Sequence, residues 1–445
     1  MSDVRGHSPD APETSQTALS RRKLLVTGAA GAAAAYGLSA GGASARGLSS
    51  SIFKSAAAGS TSFGSNASDP VPKKAYANVM KAFTAKTGTK VEVNTVDHNT
   101  FQEQINSYLQ GRPQDVFTWF AGYRLRFFAA KGLLAPIDDV WTTLKPQFSA
   151  GYQGASKGDD GKFYFVPIYA YPWAMHYRKS LFAEKGYTVP KTWAQFIALC
   201  KKMKADGITP IAFADKDGWP AMGTFDILNM RINGYDFHIR LMAGKEPWNS
   251  AKVKAVFNTW RQLLPYTSDG ALGLTWQEGA AQLVNKEAGM YMLGTFVSQQ
   301  FTNPADLKDL DFFPYPAINP KWGQDSIDAP IDGLALTKKA KNVKEAKQLL
   351  SFVGSAAAEN IYLKVDSQVG ANKNVSKARY TPMQKKSAAL IAGSKHIAQF
   401  LDRDTRPDFA STVMIPSIQQ FLNKPDDVNS LVNSIQKQKK AIFGF

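Results

Sequence analysis

The stretch from residue 61 to residue 119 switches hydrophobic period repeatedly, and that switching limits the folds open to the chain. Thr61-Ser62-Phe63-Gly64-Ser65-Asn66 reads as a strand. Tyr76, Val79, Met80 and Phe83 then recur at helical spacing until Gly88, and Lys90 to Val96 alternates with the period of two that a strand needs. Phe101 to Leu109 returns to helical spacing, stops at Gly111 and Pro113, and leads into Asp115-Val116-Phe117-Thr118-Trp119. Strand–helix–strand–helix–strand is the order of an α/β lobe. Further on, Asp160-Gly161 predicts a turn, and Phe163 to Val166 a strand that ends at Pro167. Thr192 with Gln195 predicts a capping box for a helix whose apolar face carries Trp193, Phe196, Ile197, Cys200 and Met203. Helices are also expected at Ala251–Leu264, Gln277–Asn285, Val343–Val353 (capped by Asn342 with Glu345), Pro382–Gly393 and Val428–Ile442. The mixed order fades near residue 340, and the C-terminal part is mainly helical.

The 445 residues suffice for two or three domain-sized units. A single cysteine, Cys200, excludes an internal disulfide, a thiolate zinc cage and an iron–sulfur cluster; its place on a helical apolar face predicts an inert core thiol. The five histidines lie far apart with no H-x-x-x-H pair, so no metal and no cofactor is expected. The net charge is +17, but the lysines fall in short groups beside helical patterns, as at Lys201, Lys202 and Lys204. They read as solvated helix faces, and without a recognisable module no nucleic-acid partner is expected.

The N-terminus reads as an export signal. Ser20-Arg21-Arg22-Lys23-Leu24-Leu25 precedes a mildly apolar run from Val26 to Ala40, which resembles a twin-arginine signal. Ala43-Ser44-Ala45 fits a small-x-small cleavage site, placing the mature start at Arg46. Leu38-Ser39-Ala40-Gly41 reads like a lipoprotein box with glycine where the acylated cysteine would stand, so no lipid anchor can form there.

Tests for catalysis fail on spacing. No P-loop is present; the fragment around Gly154 to Lys162 lacks the pattern. No G-x-S-x-G elbow and no S-x-x-K set occur in a supporting context. Asp215-Lys216-Asp217-Gly218 starts like a calcium loop, then places Trp219 and Pro220 where an oxygen ligand and a turn glycine are needed. A carboxylate pair for glycoside hydrolysis needs to meet only in space, and Asp332, Asp402 and Asp404 keep that alternative open.

Aromatic residues cluster where strands end: Trp119, Phe120 and Tyr123; Tyr169, Tyr171 and Trp173; then Trp219, Trp276 and Phe296. Asn66, Asn99, Gln102, Asp332, Asp402 and Arg403 supply polar groups nearby. Flat rings pack on sugar C–H faces while carboxylates, amides and guanidinium bind hydroxyls, so this set suits a saccharide between strand ends. Arg403 and the positive field leave an acidic or phosphorylated solute as a second reading.

An ordered succession of short motifs then carries a family resemblance: Asp115 to Trp119, Lys131 to Asp138, Gly161 to Pro167, Tyr177 to Phe182, Pro190 to Trp193, Gly207 to Ala212, Lys286 to Met290 and Gly294-Thr295-Phe296. The chain resembles the extracytoplasmic solute-binding proteins of bacterial carbohydrate ABC importers, in the family-1 group that includes maltose-binding protein. That resemblance implies an α/β, two-lobe periplasmic-binding-protein-like (type II) fold with hinge-crossing segments near Pro167–Tyr171, Asp328–Asp332 and Val369–Gly370. It implies a signal over residues 1–45, an N-terminal lobe of 46–168 plus 332–368, and a C-terminal lobe of 169–331 plus 369–445. It also implies a monomer that is no enzyme and that hands a carbohydrate to membrane permease subunits. Trp119 would lie on the first lobe's cleft wall, Tyr171 would leave the first crossing, and Trp219 would stack from the second lobe. Phe296 takes a place where family members often carry Trp, and Asn66 follows the first strand.

Overall fold

A computed structural model of the protein describes residues 59–445. The export-signal segment, with its arginine pair, the altered lipoprotein box and the expected cleavage point, lies outside the described residues. Among the described residues no helix is long and apolar enough to cross a membrane.

The opening alternation produces a sheet as expected: β1 (Ser60–Ser65), β2 (Lys90–Thr95) and β3 (Val116–Phe120), separated by helices Pro70–Thr87 and His98–Gln110. β1 lies between β2 and β3, parallel to both. The sheet is completed from far along the chain by β4 (Phe165–Ala170), then, past a second sheet, by β10 (Ile331–Leu336) and β11 (Val369–Gly370), in the order β11-β4-β10-β3-β1-β2. The second sheet uses β5 (Trp173–Arg178), β6 (Thr209–Ala212), β7 (Ala288–Gly294) and β8 (Leu310–Phe313), in the order β6-β7-β5-β8. The chain therefore passes between sheets at Tyr171-Pro172. It returns after the short β9 (Ser326–Asp328), and β12 (His396–Ala398) pairs with β9 in parallel. Discontinuous sheets joined at several crossings make a two-lobed α/β architecture, with ligand-accessible loops at the strand ends between them.

Asp115 explains why the first sheet holds its C-terminal additions. Its side chain is buried, and its two oxygens accept from Lys341 N (2.6 Å), Asn342 N, Asn342 Nδ2 (3.0 Å), Ser62 N and Thr61 Oγ1. Asn342, expected to cap its own helix with Glu345, spends its amide on this carboxylate instead and makes no side-chain cap. Burial pushes the Asp115 carboxyl up, but the hydrogen bonds from Asn342, Lys341 and Ser62 outweigh it and hold the group below its usual range. A lowered carboxyl contributes stability above its unfolded value of about 4, and that contribution is lost on acidification through the folded value. Asp115→Ala is expected to cost about 3 kcal/mol of unfolding free energy, measured by urea denaturation at neutral pH, because buried donors lose a charged acceptor.

Pro167, expected to end its strand, sits inside β4. The register against β10 shifts between Asp332 and Gly333, opposite the proline, so the missing N–H falls at a bulge. The backbones approach so closely there that a Cβ on Gly333 would lie 2.1 Å from the Val166 carbonyl oxygen. Elsewhere local signals hold. Thr192 and Gln195 form the reciprocal cap of helix Trp193–Ala205, and helices Val343–Val353 and Pro382–Gly393 have the expected bounds. Cys200 is fully buried and desolvation pushes its thiol up to about 12, which leaves it a poor nucleophile.

Candidate functional site

A cavity lies where β4, β5 and β10 pass between the sheets. Asn66 follows β1 and Gln102 lies on the second helix. Tyr169, Tyr171 and Trp173 flank the crossing from β4 to β5. Trp219, Trp276 and Phe296 come from loops and helix starts of the second sheet, Asp332 from β10, and Asp402 with Arg403 from the short helix Leu401–Asp404. All of these line the cavity.

The rings form one wall. Phe296 meets Trp276 edge-on at 5.2 Å and Tyr171 at 5.4 Å, while Trp173 stacks on Phe400 at 4.6 Å. Trp219 stands with one edge toward Trp173 and is only partly buried. An ionic network joins them at Tyr171. Arg403 donates through Nη1 to Asp332 Oδ1 (2.6 Å) and through Nη2 to the Tyr171 hydroxyl (2.8 Å). Arg124 Nη1 donates to Gln102 Oε1 (2.5 Å) and lies 3.3 Å from Asp402 Oδ2. The Tyr169 hydroxyl donates to Asp332 Oδ2 at 3.3 Å. Desolvation pushes the Tyr169 and Tyr171 hydroxyls up, so both remain donors. Desolvation also lowers His98, another lining residue, so that its ring is held neutral. Asn66 Nδ2, Trp173 Nε1, Asp402 Oδ1 and Arg403 Nε are buried polar atoms that make no hydrogen bond within the protein. A wall combining such groups with ring faces can bind a polyhydroxylated molecule through both hydroxyls and C–H surfaces.

Three residues expected at the site do not line it. Trp119 is 1% exposed and packs among Phe101, Phe117, Phe120 and Phe128. β3 is buried along its whole length, so facing the ligand was not the only reason for a large ring there. Tyr123 opens helix Tyr123–Ala130 outside the cavity, with the Arg126 guanidinium over its ring. Asn99 also stays outside, but its Oδ1 accepts from Trp219 Nε1 at 3.2 Å and so fixes that ring. Conversely, Asp69, Tyr76, His98, Gln299, Gln368 and Phe400 line the cavity without having been expected. Tyr76 was hidden because its helical spacing also suits a core face. Gln368 abuts the expected crossing at Val369–Gly370, which was the one signal available for it.

Hydrogen bonds already span the cavity mouth: Trp219 to Asn99, and Gln277 Nε2 to Asp69 Oδ1 (3.2 Å). The Trp219 loop is itself anchored by Asp215, whose Oδ1 accepts from Ala221 N at 2.9 Å in the first turn of helix Pro220–Asn233. Desolvation pushes the buried Asp215 carboxyl up to about 8. A raised carboxyl contributes stability that is complete below its unfolded value of about 4 and is lost as pH rises through the folded value. Asp215→Asn is therefore expected to gain in melting temperature over the parent as pH rises from 5 to about 8, then to hold a constant difference. Thermal unfolding at stepped pH checks this; a difference that does not change with pH would contradict it.

Turn Gln399–Asp404 carries unusual backbone. Phe400 has φ 133° and ψ 148°, a region populated essentially by glycine, at a cost of about 1–3 kcal/mol.

Fold and site together define a solute receptor: two lobes joined by crossing strands, with a cavity between them that offers binding groups from both sides. The chain belongs to the bacterial extracellular solute-binding protein family, whose model matches residues 66–360. It is similar to the bacterial solute receptor AcbH, described as having an exclusive substrate preference for β-D-galactopyranose. The identity is 51% and the TM-score 0.85, over 86% of this chain and 99% of that one. A chitin oligosaccharide binding protein shares the fold at 23% identity and a TM-score of 0.79, over 87% of this chain and all of that one. Among curated relatives, an ABC transporter extracellular-binding protein of Pyrococcus horikoshii is 26% identical over 74% of this chain and 72% of its own length. A probable sugar-binding periplasmic protein of Rhizobium meliloti is 26% identical over 61% and 66%. The architecture is that of type II periplasmic binding proteins.

Proposed function

We propose that this protein captures a single neutral pyranose, β-D-galactopyranose first among them, and delivers it to the permease of an ABC importer. The observation that carries this reading is the cavity wall itself, where aromatic rings stand beside an arginine already paired with carboxylates. The likeness to AcbH supports the choice of sugar. An acidic solute is disfavoured, because Arg403 is committed to Asp332, Tyr171 and Asp402 and the cavity also carries Asp69.

In this reading the lobes are 46–168 plus 332–368 and 169–331 plus 369–445, with β4 and β11 acting as hinges. Ligand contacts to both lobes stabilise closure, and the permease recognises the closed shape. The chain leaves the cytoplasm by its twin-arginine signal, is cut after Ala45, works as a monomer without nucleic acid, and turns over no substrate. Calorimetry against galactose, glucose, lactose and galacturonate tests the reading. Binding of galactose near the micromolar range, about 8 kcal/mol, is expected, with galacturonate much weaker. Silence toward every neutral sugar would refute it. Release of chromophore from a nitrophenyl galactoside would show an enzyme instead.

A further inference from the structure

We propose that Asp404 is a positioning residue of the sugar site: its carboxylate holds Phe400 in a glycine-like backbone conformation that delivers the Phe400 ring, Asp402 and Arg403 to the cavity. This rests on the sugar-binding reading above. Asp404 does not line the cavity and so acts through its neighbours.

The geometry of the turn carries the inference. With φ at 133°, Phe400 occupies backbone space where a side chain is strained. Glycine would adopt this conformation freely, but it would forfeit the ring that stacks on Trp173 at 4.6 Å and lines the cavity. The strain therefore persists only because surrounding groups over-determine it. Asp404 Oδ2 accepts from both Gln399 N (2.7 Å) and Phe400 N (3.3 Å). The Phe400 carbonyl in return accepts from Arg403 N and Asp404 N, each at 2.8 Å. On the far side, Asp226 Oδ2, from helix Pro220–Asn233, accepts from Leu401 N at 2.6 Å.

The same turn sets the register of the ionic network. Gln399 Oε1 accepts from Ile331 N at 3.2 Å, one residue before Asp332, so turn and β10 are tied where Arg403 meets Asp332. Gly122 marks how closely the turn seats against the first sheet, since a Cβ there would stand 2.5 Å from the Arg403 carbonyl oxygen. With no slack on that side, loss of the Asp404 tether must be taken up by rotation about Phe400, which swings Asp402 and Arg403 together.

A double-mutant cycle on the full chain, titrated with D-galactose in a calorimeter, tests this. Asp404→Ala is expected to weaken galactose binding at least about 10-fold in the Phe400 protein, and by less than about 3-fold when combined with Phe400→Gly, where no strain needs holding. Equal factors in the two backgrounds would overturn the proposal, since a merely structural carboxylate would matter equally in both. Should Asp404→Ala fail to fold, Phe400→Gly is expected to restore folding, and its failure to do so would also overturn it. Asp404→Asn, which keeps one acceptor oxygen, should show a smaller loss that Phe400→Gly again suppresses. Hydrogen exchange without sugar separates this idea from the sugar reading. The Gln399 and Phe400 amides should exchange at least about 10-fold faster in Asp404→Ala. Unchanged exchange would overturn the positioning role, whereas a parent protein blind to galactose would overturn only the choice of ligand.

Discussion

Arg403→Met should abolish useful sugar affinity, lowering it by at least about 100-fold, and should destabilise the protein at the same time. The guanidinium is 7% exposed, joined to Asp332 and Tyr171, and lies 3.9 Å from Asp402 and 4.0 Å over the Phe120 ring. Burial alone would push it down, but Tyr171, Asp332 and Asp402 outweigh burial and hold it above its ordinary value. Removing one partner of a buried ion pair leaves uncompensated charge and costs about 3–5 kcal/mol. Part of that cost falls on folding and part on the ability of Asp332 to face a neutral ligand. Arg403→Lys should recover little, because an ammonium cannot make two directed bonds to Asp332 and Tyr171 while stacking on a ring. Calorimetry with galactose and thermal unfolding on the same samples read both effects. Affinity within about 3-fold of the parent would show that the arginine is only a brace between lobes.

Trp219→Ala should separate binding from folding in the opposite sense. The ring is half-buried on the cavity rim, with its Nε1 donating to Asn99; it meets Trp173 and His98 edge-on and lies tilted against Phe296. It packs against the core only as a partly buried ring, so the melting temperature should change little. A ring face that becomes covered only when ligand arrives behaves as a binding hot spot, worth about 2 kcal/mol or roughly 30-fold in Kd. Trp219→Phe should retain part of that. Unchanged affinity with a lowered melting temperature would assign the ring to the fold rather than to the ligand.

How far the site was legible can be judged on particular residues. Trp219 and Trp276 stood among turn residues, where a large ring has no local packing reason, and both line the cavity. Trp119 had the same residue type and a strand-end position, yet β3 lies between β1 and β10 and is covered on both faces. A central strand end and a cleft wall look alike until the neighbouring strands are known. Phe400 was invisible for a different reason: no pattern announces that a phenylalanine will take a glycine's backbone, because the tethers come from Asp404 and from Asp226, far away in the chain. Asn342 misled because its capping pattern was real, but its Nδ2 donates to the charged, buried Asp115 carboxylate, and with the side chain held there its Oδ1 makes no cap.

The alternation that makes an α/β lobe, the capped helices and the place of Cys200 follow from neighbours within a few residues, and so could be read along the chain. So could the supply of rings and carboxylates from which a sugar site can be built. That Arg403 meets Asp332 and that Trp219 reaches Asn99 across the mouth emerges only from the folded chain. The same holds for the accommodation of Pro167 within a strand. Each of these is a contact between segments far apart in the chain, where register and crossing geometry, rather than local spacing, choose the partner.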